Sequence, residues 1–159
     1  KTFGHLGQSV FINEIYNIHE GLPPEVNLLN EKNNGEMILK LINSENINSV
    51  HDVSTGGIIL ALAEMSLSSN IGIKIKKNKE FSKNFEYFFG EDQSRYLIEI
   101  DKQNYPKIEK VLKENNIYYE NIGVTQKDYF EFDKDLKVSV KELYDVNNRW
   151  YNKYNGIIS

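Results

Sequence analysis

Val50-His51-Asp52-Val53-Ser54-Thr55-Gly56-Gly57 runs directly into the apolar stretch Ile58 to Leu67. A short hydrophobic run, Ile47 to Val50, ends on a carboxylate and a hydroxyl, and two glycines then turn the chain into a helix. A strand, a glycine turn and a helix in that order aim backbone N–H groups at an anion such as phosphate. An acid beside that turn is placed to bind the Mg²⁺ that accompanies a polyphosphate. The segment therefore reads as one wall of a nucleotide or phosphate site. The same residue types also serve as plain caps and turn formers. The spacing matches neither the dinucleotide fingerprint nor the Walker lysine loop, so anything bound here uses another geometry.

Outward from this turn the chain alternates irregularly between helix and strand. Val10, Phe11, Ile15 and Ile18 share one helical face, which predicts a helix over Ser9 to Ile18. Gly21-Leu22-Pro23-Pro24 is an extended connector. Asn27 is placed to cap a helix that turns Leu28, Leu29, Met37, Ile38, Leu41 and Ile42 inward, with Gly35 inside it for close packing. Ile47 to Val53 reads as a strand, Gly57 to Ser68 as a helix buried on several sides, and Ile71 to Ile75 as a half-buried strand. Phe81, Phe85 and Phe88 recur at helical spacing, Arg95 to Ile100 alternates, and Tyr105, Ile108, Val111 and Leu112 mark another helix. Ile117 to Val124, Tyr129 to Phe132 and Lys137 to Val140 are short strand candidates. Leu143, Val146, Trp150 and Tyr154 line a last helix, read as core and rim packing or as a contact surface for other parts of a longer chain. This pattern predicts an α+β fold, an α/β/α layered mixed sheet.

At 159 residues the chain reads as one domain, residues 1–159, able to bury a core without staples. Its formal charge of −4 argues against nucleic acid or an anionic membrane as the main partner. It has no cysteine, which excludes disulfides, thiolate catalysis and thiolate metal sites. No apolar run approaches the ~20 residues of a membrane span. Lys1 is not a methionine, and Thr2 to Ser9 already reads like the interior of a fold. The chain is thus expected to be a fragment of a longer polypeptide.

Three further clusters carry polar chemistry. Glu91, Asp92, Gln93 and Arg95 follow an aromatic cluster and precede a strand. They read either as a polar turn or as a ligand wall in which Glu91 and Gln93 face the ligand and Arg95 anchors the loop. His5, Gly7, Gln8 and Ser9 lead into the first helix, and Ser9 is a ready cap. Lys74, Lys76, Lys77 and Lys79 read as a solvated sheet edge that blocks association. His5, His19 and His51 lack the spacing of a zinc helix, and no nucleophile–base pair is visible.

Three motifs in order are more specific than any one alone. They are His5-Leu6-Gly7-Gln8-Ser9-Val10-Phe11, the Val50 to Gly57 turn with Leu60-Ala61-Leu62-Ala63-Glu64-Met65, and Phe89-Gly90-Glu91-Asp92-Gln93-Ser94-Arg95-Tyr96. This set closely resembles the C-terminal domain of the synthetase component of phosphoribosylformylglycinamidine synthases, members of the AIR-synthase-like superfamily. The resemblance covers essentially the whole chain.

It implies the C-terminal domain of a cytoplasmic, ATP-dependent ligase of purine biosynthesis. That ligase converts formylglycinamide ribonucleotide to its amidine with ammonia released from glutamine. The implied cofactors are ATP/ADP and Mg²⁺. The implied partners are the remaining domains of the same polypeptide, a glutaminase subunit or domain and a small bridging subunit, with neither nucleic acid nor membrane. Carried over by position, Asp52 resembles a Mg²⁺ ligand and Ser54 a contact to nucleotide phosphate, with Gly56 and Gly57 allowing close backbone approach. Glu91, Asp92 and Gln93 resemble a substrate-lining motif. Thr55 departs from the Asp or Glu usual there, and no catalytic residue is implied in this chain. The alternatives are a non-catalytic nucleotide-holding or scaffold half of the same enzyme, or a related AIR or selenophosphate synthetase.

Overall fold

The computed structural model describes residues 1–76, 81, 83–132 and 136–157. The described elements run α1 (Val10–Tyr16), α2 (Leu28–Asn43), β1 (Ser49–Asp52), α3 (Gly57–Ser69), β2 (Gly72–Ile75), α4 (Asn84–Phe89), β3 (Tyr96–Glu99), α5 (Tyr105–Glu114), β4 (Gly123–Gln126), β5 (Tyr129–Phe132), β6 (Leu136–Ser139) and α6 (Val140–Tyr154). The chain divides into two compact units, residues 1–61 with 80–121 and residues 62–79 with 122–159. The mixed helix-and-sheet character expected from the sequence is present, with the described strands shared between two sheets.

In the first unit β1 and β3 pair antiparallel, with Asp52 opposite Tyr96 and Val50 opposite Ile98. Met37 and Leu41 of α2 meet Ile108 and Leu112 of α5 in a buried cluster, and Ile47, Ile98 and Ile100 pack against it. Each such side chain contributes about 2 kcal/mol on leaving water. α2 starts where its cap dictates, because Asn27 Oδ1 accepts the Asn30 N–H at 3.0 Å. Leu28, Leu29 and Ile42 were expected inward and are exposed instead. They flank the Met37–Leu41 stretch that meets the core, so amphipathic spacing overstates how far burial extends along the helix.

α1 ends at Tyr16, shorter than the expected helix to Ile18, because Asn17 takes up a left-handed conformation (φ 52°). A second, aromatic cluster joins α1 to α4. Phe11 stacks on Phe89 at 4.4 Å between ring centroids, with Phe85 at 5.7 Å on the same ring. Tyr87 and Phe88 of α4 are buried. The expected strand from Ile117 begins only at Gly123. Ile117 and Tyr119 are drawn to the α2–α5 core instead.

In the second unit β2 lies inside a four-stranded sheet of order β4-β2-β5-β6. It pairs antiparallel with β4 and parallel with β5. Lys74 therefore sits on an interior strand, opposite Glu131 and ion-paired with it at 3.2 Å, so the solvated-edge reading does not hold for it. Lys77 and Lys79 lie outside the described residues. β6 passes directly into α6 through a reciprocal cap: Ser139 Oγ accepts the Glu142 N–H, and Glu142 Oε2 accepts the Ser139 N–H. The α6 face read as core packing is open in this chain, with Trp150 at 66% and Tyr154 at 83% exposure.

Two outcomes follow from these local environments. A Cβ at Gly35 would meet only the Tyr96 hydroxyl, at an ordinary 3.7 Å, so close packing is not why glycine stands there. Gly35→Ala is expected to stabilise the chain by about 1 kcal/mol in urea unfolding, through restored helix propensity. Glu142 is held below the ordinary glutamate value by the Ser139 hydroxyl and then by the Ser139 backbone N–H. A depressed folded value contributes stability above the ordinary glutamate range and loses it as pH falls through the depressed value. Ser139→Ala should return the Glu142 titration upward toward that ordinary range, as followed by NMR of its side-chain carboxyl.

Candidate functional site

The turn between β1 and α3 is shaped by backbone demands. Gly56 and Gly57 have φ of +76° and +70°, a region L side chains rarely enter. A Cβ on Gly57 would also stand 2.5 Å from the Phe88 carbonyl oxygen and 2.7 Å from that of Gly90. The Gly57 N–H closes the turn on the Ser54 carbonyl at 3.1 Å. Asp52, Ser54 and Thr55 lie exposed along it, with the Asp52 side chain 68% exposed. His51 Nδ1 donates to the Asp52 carbonyl at 2.6 Å and lies 3.8 Å from Asp52 Oδ1.

The Glu91-Asp92-Gln93 segment reaches the same turn from the other side. Glu91 Oε1 accepts the Gly56 N–H at 2.8 Å and the Val10 N–H at 2.9 Å. Asp92 is buried. Its carboxylate accepts the N–H groups of Phe3 and Gly4 on Oδ2, at 2.9 and 3.0 Å, and of His5 on Oδ1 at 3.3 Å. Gln93 is the exposed member of the trio. Two of the three residues read as ligand contacts thus direct carboxylate oxygens at the chain's own backbone.

Arg95 anchors this segment, as its position before a strand suggested. Buried, it donates from Nε to the Asp92 carbonyl at 2.8 Å and from Nη2 to the Gly90 carbonyl at 2.7 Å. Nη1 reaches Thr2 Oγ1 at 3.3 Å and lies 3.9 Å from Asp92 Oδ2. Burial pulls the guanidinium below its ordinary value, with Asp92 the foremost charge pushing back. It remains a cation at neutral pH. The His5–Ser9 segment has a structural task. His5 Nε2 donates to the Leu22 carbonyl at 2.7 Å and Gln8 Nε2 to the Gly21 carbonyl at 2.9 Å, fixing the Gly21–Pro24 connector.

The donor set limits what cation the turn would suit. Among the described residues no three of His, Cys, Asp and Glu gather as a metal cluster. One exposed carboxylate fits Mg²⁺, which takes one or two carboxylates and fills its octahedron with water and phosphate oxygens. It does not fit zinc, which takes three or four protein ligands.

Residues 4–134 match the family described as AIR synthase related protein, C-terminal domain. The chain belongs to that family. Over 97% of its length it is 47% identical to phosphoribosylformylglycinamidine synthase subunit PurL of Pelagibacter ubique. Over 96% it is 37% identical to the Bartonella bacilliformis subunit of the same name. It spans about a fifth of these relatives, 21% and 20% of their lengths. Among solved structures, Thermotoga maritima PurLQS matches 84% of this chain and 24% of its own, with a TM-score of 0.65 at 17% identity. T. maritima PurL complexed with ATP matches 71% of this chain and 21% of its own, with a TM-score of 0.61 at 16% identity. These structural likenesses establish the AIR-synthase-like fold, and the sequence relatives bear out the resemblance carried by the three motifs.

Sequence reasoning found the residues around the turn but missed what Glu91 and Asp92 hold. Their acceptors serve N–H groups 35 to 89 positions away, a separation no local pattern reports. The hint available in the sequence was that Thr2 to Ser9 reads like the interior of a fold, and Thr2 and Ser9 are indeed buried. Arg95→Met would leave the Asp92 carboxylate buried without its cation and two carbonyls without their donor. Removing one partner of a buried charge pair is expected to cost roughly 3 kcal/mol. Urea unfolding of wild type and variant measures it, and a loss below about 1 kcal/mol would remove the anchor from the account.

Proposed function

We propose that the chain forms one wall of a Mg²⁺–nucleotide site in a phosphoribosylformylglycinamidine synthase. In this reading the full-length protein is an ATP-dependent ligase that makes formylglycinamidine ribonucleotide from formylglycinamide ribonucleotide and glutamine-derived ammonia. The observation that carries it is the pair of exposed side chains, Asp52 and Ser54, at a glycine turn opening a helix, in a chain so similar to PurL subunits. Asp52 would hold the cation and the Ser54 hydroxyl would meet a phosphate oxygen, while the Gly56 and Gly57 N–H groups are already taken by Glu91 and the Ser54 carbonyl. Bound Mg²⁺ would supply charge neutralisation for the polyphosphate. Gln93 would face the substrate side of the same wall, while Glu91 and Asp92 hold the backbone that shapes it.

Both compact units are read as parts of one AIR-synthase-like C-terminal domain, supported by a family match that extends over both. The rest of the polypeptide, a glutaminase partner and a small bridging subunit complete the proposal, as does a cytoplasmic setting. The relative solved as PurLQS supports partners of this kind. Among the described residues, no helix is long and apolar enough to cross a membrane.

A second reading makes this site auxiliary, holding a nucleotide that never turns over. One exposed carboxylate, Asp52, with no cluster of three metal-binding side chains among the described residues, suits binding as well as catalysis. Asp52→Asn in the full-length protein separates the two. A catalytic site predicts turnover reduced at least about tenfold, with a raised Mg²⁺ requirement and an unchanged melting temperature. An auxiliary site predicts near-normal turnover with a lowered melting temperature in the presence of Mg²⁺·ADP.

A further inference from the structure

Glu91 occupies a position that neither ligand contact nor simple turn formation explains. One of its oxygens, Oε1, accepts two backbone N–H groups from distant segments: Gly56 in the turn, at 2.8 Å, and Val10 at the start of α1, at 2.9 Å. Gly56 and Gly57 both have positive φ, so the regular helical ladder does not yet fix the chain there. Two successive glycines are the most freely jointed backbone a protein can place between a strand and a helix. An acceptor aimed at the Gly56 N–H removes that freedom. Ser54 lies two residues before it, on the arm between the end of β1 and the turn, whereas Asp52 is held in β1 opposite Tyr96.

The other end of Glu91 is equally constrained. Its own N–H donates to the His5 carbonyl at 2.9 Å, and Asp92 next to it gathers the N–H groups of Phe3, Gly4 and His5. Phe89, two residues earlier, stacks on Phe11 of α1. The carboxylate thus extends from a backbone pinned on both sides, and this rigidity lets it orient a flexible partner.

We propose that Glu91 is a positioning residue for the nucleotide turn: through Oε1 it fixes the Gly56 amide against the start of α1 and so sets the path of Ser54 between β1 and α3, beside the sheet-held Asp52, without touching ligand. This rests on the nucleotide reading of the turn. It also separates acceptor geometry from charge. A glutamine at position 91 keeps a carbonyl oxygen able to accept both N–H groups, whereas a residue acting on metal or substrate by its charge would fail on the same change.

The test uses the full-length protein as wild type, Glu91→Gln, Glu91→Ala and Asp52→Asn. Mg²⁺·ADP affinity is read by calorimetry, and amide exchange is followed in peptides covering residues 5–15 and 50–60. Glu91→Ala is expected to speed exchange in both peptides together and weaken ADP about tenfold. Glu91→Gln is expected to stay within about twofold of wild type on both measures. Equal losses in Glu91→Gln and Glu91→Ala would overturn the proposal, because charge would then be the operative property. Unchanged ADP affinity in Glu91→Ala, with Asp52→Asn weakened, would overturn positioning alone. Unchanged affinity in Asp52→Asn would overturn the nucleotide reading and this proposal with it. If Glu91→Ala fails to fold, Glu91→Gln decides: wild-type affinity and exchange support acceptor geometry, and lost affinity in a folded protein overturns it.

Discussion

The buried guanidinium of Arg95 is the interaction on which the first unit depends. It donates to the carbonyls of Gly90 and Asp92 and to the hydroxyl of Thr2, and so curls residues 90–95 around itself. The carboxylate of Asp92 is then presented to three successive backbone N–H groups at residues 3–5. Charge and countercharge are both buried, and each would be costly without the other. What results is a polar knot that ties the first residues of the chain to a segment some ninety positions later. The same arginine continues into the sheet, where its carbonyl accepts the Val53 N–H beyond β1 at 2.9 Å.

Apolar packing joins the residues that follow and precede this knot in the chain. Phe11 lies on Phe89 and Phe85, which holds α1 to α4 independently of any hydrogen bond. Directional polar contacts and non-directional stacking therefore constrain the same two segments by different physics. Glu91 sits between the two, and this explains how a single oxygen can serve the Val10 and Gly56 amides with good geometry at both. Fully satisfied networks of this kind specify one arrangement, because every alternative leaves a buried polar group unpaired.

Local chemistry was readable in the sequence; long-range satisfaction was not. Asn27 capping α2, the Gly57 start of α3 and the Tyr129–Phe132 strand all follow from signals within a few residues, and the structure places each where those signals put it. The Asp-Ser-Gly-Gly turn was legible as a turn for the same reason. The destinations of the Glu91 and Asp92 carboxylates were hidden, because acidic residues before a strand look alike whether they face solvent or distant amides. The last helix shows a second limit. Its period marks an apolar face correctly, yet period alone cannot say what covers that face, and in this chain Trp150 and Tyr154 stay exposed. Lys74 shows a third: a basic run suggests an edge, but strand order depends on pairings that sequence does not display.

The structure also redistributes the functional weight within the turn. Gly56 and Gly57 are required by their backbone angles, and Gly57 by the carbonyls packed against it, so their presence needs no ligand. They would stand there in a purely architectural loop. Asp52 and Ser54 differ. Both are exposed, and nothing in the backbone geometry of the turn demands a carboxylate or a hydroxyl at those positions. Meanwhile the polar side chains that tie residues 90–95 to the first residues of the chain, Arg95 and Asp92, are buried and committed to the chain. A division of this sort, with committed groups inside and exposed ones outside, would let a surface be shaped before any ligand arrived. Little ordering would then remain to oppose binding. Asp52 and Ser54 are the two side chains of this turn that its backbone does not need.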